Sequence, residues 1–154
     1  MSAPTQPPPA LDEPRVLWNV RIPMRDGIEL ANNVYLPPTG VTGGPYPVIF
    51  ARNPYNRQLW ADTLRWRFFT EHGYVMVSQD CRGRFDSDGE FYPFFDDGPD
   101  AYDSIEWIAQ QPWCTGKIGM MGGVADEVMN GRPLKGLENG SQDGLSPSRG
   151  PIHL

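Results

Sequence analysis

Two short apolar runs, Pro47–Ala51 (PVIFA) and Tyr74–Gln79 (YVMVSQ), constrain the fold of this chain more than any other feature. Neither has the length of a helix nor the polar–apolar alternation of a strand with one wet face. Each therefore reads as a strand covered on both faces. Between them, Gln58–His72 holds Leu59, Leu64, Phe68 and Phe69 near helical spacing, and Gly73 follows where a C-terminal cap belongs. Strand, helix and strand in that order predict a parallel pair with a crossover helix.

The flanking sequence extends the pattern. Val16–Pro23 and Ile28–Leu36 alternate apolar and polar residues around Arg25-Asp26-Gly27, which predicts an antiparallel hairpin. Residues 81–95 are rich in Gly and Asp and read as a loop. Asp96 or Asp97 can cap a helix running to about Gln111, with Ala101, Ile105 and Ile108 on one face and Pro112 ending it. Ile118–Met121 is a third short strand. The expected class is α/β: a mostly parallel sheet with an N-terminal antiparallel hairpin and flanking helices.

Every Trp, Tyr and Phe lies between Trp18 and Trp113, and this divides the chain in three. Residues 1–14 are Pro-rich and expected to be a disordered arm. Residues 15–123 carry the folded pattern. Residues 124–154, rich in Gly, Pro, Ser and Asn, are expected to be disordered, because scattered leucines bury too little apolar area to offset ordering entropy. The chain-wide count of 17 Gly and 17 Pro fits long loops, while 39% hydrophobic and 12% aromatic residues suffice for one core.

A formal net charge of −6 argues against nucleic acid, which requires a basic face. No apolar run approaches the roughly 18 residues of a membrane span. Without a basic-then-apolar leader, Cys81 and Cys114 are expected to be reduced, partly buried thiols in a cytoplasmic protein.

Candidate chemistry lies where strands end, since open α/β sheets place active sites beyond their carboxyl edges. At Arg52-Asn53-Pro54-Tyr55 the phenol could donate to an oxyanion; taken alone, the tetrapeptide fits better a tyrosine closing the core beside the Pro54 turn. In Gln79-Asp80-Cys81-Arg82-Gly83-Arg84 an Asp followed by two Arg reads as an ion-paired loop, with Asp80 bracing Arg82, rather than as a general base. Asp86-Ser87-Asp88-Gly89-Glu90 lacks the ligand spacing of a calcium loop and reads as a solvated acidic turn, so no metal site is expected. His72 closes a helix and His153 lies in the tail, and Cys81 has no His near it in sequence to act as base. The third strand runs into Gly122-Gly123, the prelude to a nucleophile elbow, G-x-S-x-G. Val124 follows instead of serine; Ser146 in Gly144-Leu145-Ser146 has no strand before it and Pro147 directly after.

Five segments in order resemble the cocaine esterase-like (CocE/NonD) and X-Pro dipeptidyl-peptidase group of α/β-hydrolases: Ile22-Pro23-Met24-Arg25-Asp26-Gly27, Arg52-Asn53-Pro54-Tyr55, Gln79-Asp80-Cys81-Arg82-Gly83, Ser87-Asp88-Gly89-Glu90-Phe91 and Trp113-Cys114-Thr115-Gly116-Lys117-Ile118-Gly119-Met120. The resemblance covers residues 16–123 and implies an incomplete α/β-hydrolase fold. It implies a serine hydrolase of esters, amides or X-Pro peptide bonds, with small-molecule or peptide substrates and no cofactor. Tyr55 matches the tyrosine that donates to the oxyanion, which reverses the reading of that residue taken alone. Val124 stands at the serine position and Ala125 at the tyrosine after it, and the partner Asp and His fall in sequence beyond this chain. The resemblance therefore implies an inactive polypeptide, with an abrupt break after Gly123 suggesting a frameshift. The alternative is a non-catalytic binding protein that keeps half a hydrolase domain as scaffold.

Overall fold

The computed structural model describes residues 15–38, 41, 44–93 and 95–121; the expected arm 1–14 and tail 124–154, with Val124, Ser146 and His153, lie outside them. Five strands form one mixed sheet: β1 (Arg15–Pro23), β2 (Glu29–Leu36), β3 (Tyr46–Asn53), β4 (Val75–Asp80) and β5 (Cys114–Met120). Their spatial order is β1-β2-β4-β3-β5. β1 and β2 make the expected antiparallel hairpin, β2 runs antiparallel to β4, and β3 is parallel to both β4 and β5. Helices α1 (Arg57–Thr63) and α2 (Trp66–Glu71) link β3 to β4, and α3 (Asp97–Ala109) links β4 to β5.

The pleat sends alternate side chains of the central strands to opposite layers. Val48, Phe50, Val75 and Val77 pack with Ala101, Ile105 and Ile108 of α3, while Ile49 and Met76 pack with Ala61 and Trp66 of the other helices. This double burial is why both runs are apolar without alternation.

The expected single helix over 58–72 is broken. Arg65 adopts a left-handed conformation, φ 60°, and separates α1 from α2. Trp66 is thereby buried against Tyr35, ring centroids 4.5 Å apart, with its indole N–H donating to the Asp62 carboxylate at 3.0 Å. That packing compensates a conformation costing about 1–2 kcal/mol. The strand expected at 118–121 begins earlier, because β5 pairs with β3 from Cys114 onward across an irregularity at Tyr46/Val48. Thr115–Lys117 are exposed, so their sequence carries no apolar signal. Cys81 and Cys114 are both buried, and neither is in a disulfide.

Candidate active site

The parallel strands β3, β4 and β5 end side by side at Asn53, Asp80 and Met120, and the loops leaving these ends build the candidate site. β3 lies between the other two, so the chain emerging from it at Pro54-Tyr55 sits centrally. The Tyr55 backbone N–H donates to Asn53 Oδ1 at 2.9 Å, and the Pro54 carbonyl accepts from Arg84 Nε at 3.0 Å. Asn56 then caps α1, its side chain accepting from the N–H groups of Gln58 and Leu59. With its backbone held on both sides, Tyr55 leaves 53% of its surface exposed, its ring 6.0 Å from that of Trp60.

Beneath this turn lies an ion-pair network that differs from the sequence expectation. Asp80 does not brace Arg82. It accepts from the backbone N–H of Arg57 at 2.7 Å and from the Arg57 guanidinium, which also reaches Asp86 at 2.7 Å and Asn33 Oδ1 at 2.9 Å. Arg82 instead pairs with Asp100 at 2.6 Å and Asp26 at 2.7 Å. The reason is where β4 ends: Asp80 is its last residue and faces Arg57 at the start of α1, whereas Arg82 stands in the turn beyond the strand, free of the sheet's alternation, and reaches Asp100 of α3. Burial pushes the Asp80 carboxyl up, against the pull of its bonds from Arg57. Burial works against the Arg57 charge too, but the hydrogen bonds to Asp86 and Asp80 outweigh it. The hydrogen bond to Asp100 is the largest of several that hold Arg82 more strongly protonated than a free guanidinium.

On the α3 side, Arg52 is fully buried, donating to Gln79 Oε1 at 2.7 Å and to the Asp97 carbonyl at 2.9 Å. Gln79 passes the chain on to Asn32 and Ser104. Arg52 and its neighbours are thus internal struts of the strand ends. Sequence reasoning did not find this network, since its members come from four distant elements; the polar residues ending the apolar runs of β3 and β4 were the available signal.

The acidic turn 86–90 is engaged with the protein itself: Asp86 with Arg57, Asp88 with the Glu29 N–H at 3.3 Å, and Glu90 with the Tyr92 hydroxyl at 2.8 Å. Among the described residues no three His, Cys, Asp or Glu side chains converge as metal ligands, and no helix is long and apolar enough to cross a membrane. His72 closes α2 with Nδ1 2.6 Å from the Phe68 carbonyl, away from the strand ends.

Strand order and the position of the loops define an α/β hydrolase. The family follows from residues 26–125, which match the X-Pro dipeptidyl-peptidase (S15 family), and the chain belongs to that family. Cocaine esterase of Rhodococcus sp. (strain MB1 Bresler) is 45% identical over 111 residues, covering 70% of this chain and 19% of the esterase. The chain thus spans about a fifth of that relative's length. Among solved structures, a CocE/NonD family hydrolase from Staphylococcus aureus superposes with a TM-score of 0.71 at 25% identity, covering 84% of this chain and 26% of that one. An α-amino acid ester hydrolase shares the fold, with a TM-score of 0.65 at 24% identity over 91% of this chain and 25% of its own.

Proposed function

We propose that this chain carries the oxyanion side of a serine hydrolase that cleaves ester or amide bonds, X-Pro peptide bonds included, in small molecules or peptides by acyl transfer. Tyr55 is the donor. The observation that carries this reading is its position: it lies two residues beyond the end of β3, its backbone is fastened by Asn53 and Arg84, and its ring is half exposed at the strand ends. A phenol held this way can donate to a developing oxyanion without reorganising. Acyl transfer of this type calls for no cofactor.

The polypeptide itself forms no acyl-enzyme. Val124, at the serine position of the family pattern, has no nucleophilic atom, and its β-branch resists the strained backbone of an elbow. The 154-residue chain is therefore expected to leave an activated ester such as 4-nitrophenyl acetate at the buffer rate and to resist a fluorophosphonate probe. Mass-spectrometric labelling of Ser146, or of any other serine in proportion to turnover, would overturn this reading. Reading the coding DNA around codon 123 in the other two frames tests the origin of the break, and a frameshift requires a Ser-Tyr-x-Gly continuation there.

A further inference from the structure

Arg84 differs from Arg57 and Arg82, the other arginines engaged around the end of β4. Arg57 and Arg82 are each clamped by carboxylates, whereas Arg84 pairs with none among the described residues. Its Nε is committed to the Pro54 carbonyl at 3.0 Å, the peptide that leads directly into Tyr55. The rings of Phe85 and Phe91 lie 5.2 and 5.4 Å from its guanidinium carbon, within cation–π range, and help fix where the group sits. Neither Nη group is a buried orphan. What remains is the end-on fork of Nη1 and Nη2, the geometry that takes a carboxylate with two parallel hydrogen bonds.

The backbone is strained to make this arrangement. Arg84 lies between Gly83 at φ +70° and Phe85 at φ +47°, the latter a conformation that a bulky residue rarely adopts. Strain of this kind persists where the surroundings over-determine it and gathers at binding sites. Phe85 nonetheless leaves 53% of its surface exposed, so burial of its ring does not explain the strain. The loop's acids do not neutralise Arg84, because Asp86, Asp88 and Glu90 are bonded to Arg57, Glu29 and Tyr92.

Building on the oxyanion reading of Tyr55, we propose that Arg84 is a specificity-determining residue that receives a carboxylate at one end of the substrate. The site then selects esters or amides bearing a free carboxylate over their neutral counterparts. Positioning and charge-assisted bonding, not covalent chemistry, are what Arg84 supplies.

The test is binding to the full 154-residue chain, which requires no turnover. Monomethyl succinate and dimethyl succinate are titrated while the Arg84 Nε–H and Tyr55 amide resonances are followed by NMR. The expected result is a preference of about tenfold or more for the monoester, the worth of one charge-assisted fork. The preference disappears in Arg84→Leu and survives in part in Arg84→Lys, which keeps the charge without the fork. Should Arg84→Leu unfold, Arg84→Gln removes the charge with a side chain that still offers a donor. Equal affinity for the two esters, no binding of either, or a preference that survives loss of the charge overturns the inference. Ester turnover or serine labelling would instead overturn the reading of Val124 and leave this result standing.

Discussion

Arg57 meets Asp80 twice, with its backbone N–H at 2.7 Å from one carboxylate oxygen and its guanidinium on the other. The first contact fixes where α1 starts and the second ties the helix to the end of β4, so one buried carboxylate sets the position of the helix that follows Tyr55. Ser78 adds a third tie, donating to the Arg57 carbonyl at 2.7 Å.

Asp80→Asn is expected to destabilise the fold by about 3 kcal/mol, the lower end for breaking a buried pair, because Asp86 still shares the Arg57 charge. Urea unfolding measures it. A loss below about 1 kcal/mol would place this pair with ordinary surface bridges.

Two glycines with positive φ separate backbone strain from collision. Gly27 at φ +91° has nothing within 4 Å of an added Cβ, whereas at Gly83, φ +70°, the Cβ would stand 2.3 Å from the Phe91 nitrogen and 2.4 Å from the Glu90 carbonyl carbon. Gly27→Ala should cost about 1–2 kcal/mol from conformation alone. Gly83→Ala should cost about 3 kcal/mol or more, since main chain must move. Thermal melts of the two variants side by side check the difference, and equal losses would refute it.

Arg65→Gly is expected to stabilise the protein by about 0.5–1 kcal/mol. The exposed Arg65 side chain contributes little at φ 60°, a conformation glycine adopts without penalty, although its added freedom in the unfolded chain offsets part of the gain. A raised urea midpoint at unchanged slope is the expected sign.

Alkaline pH should weaken the fold in two stages. Burial pushes the Cys114 thiol up, so the unfolded chain ionises first and stability present below about pH 8.5 is lost as pH rises toward the folded value. Burial raises the Tyr35 phenol in the same sense, adding a second decline above about pH 10. Cys114→Ala should flatten the first stage and leave the second. On the acid side the hydrogen bond from Arg25 holds Asp103 below the usual carboxylate range, so its contribution is present above about pH 4 and lost as pH falls through its folded value. Urea midpoints measured across pH give all three.

The amino-acid sequence by itself determined the order of elements, the buried strands and the family. These rest on local composition: PVIFA and YVMVSQ are apolar throughout because layers cover both faces, and the hairpin follows from alternation around Arg25-Asp26-Gly27. The place of Tyr55 beyond a strand end was legible for the same reason, since a strand's end can be read from where its apolar run stops. Tertiary structure alone decided the partners of charged residues. Asp80 and Arg82 are only two residues apart, yet the end of β4 and the turn after it send one to Arg57 and the other to Asp26 and Asp100, across separations that no local pattern encodes. It also decided the break at Arg65, where burying Trp66 against Tyr35 outweighs helical continuity, and it gave Arg84 no carboxylate among the described residues, because a cation's partners depend on which acids the fold brings to it.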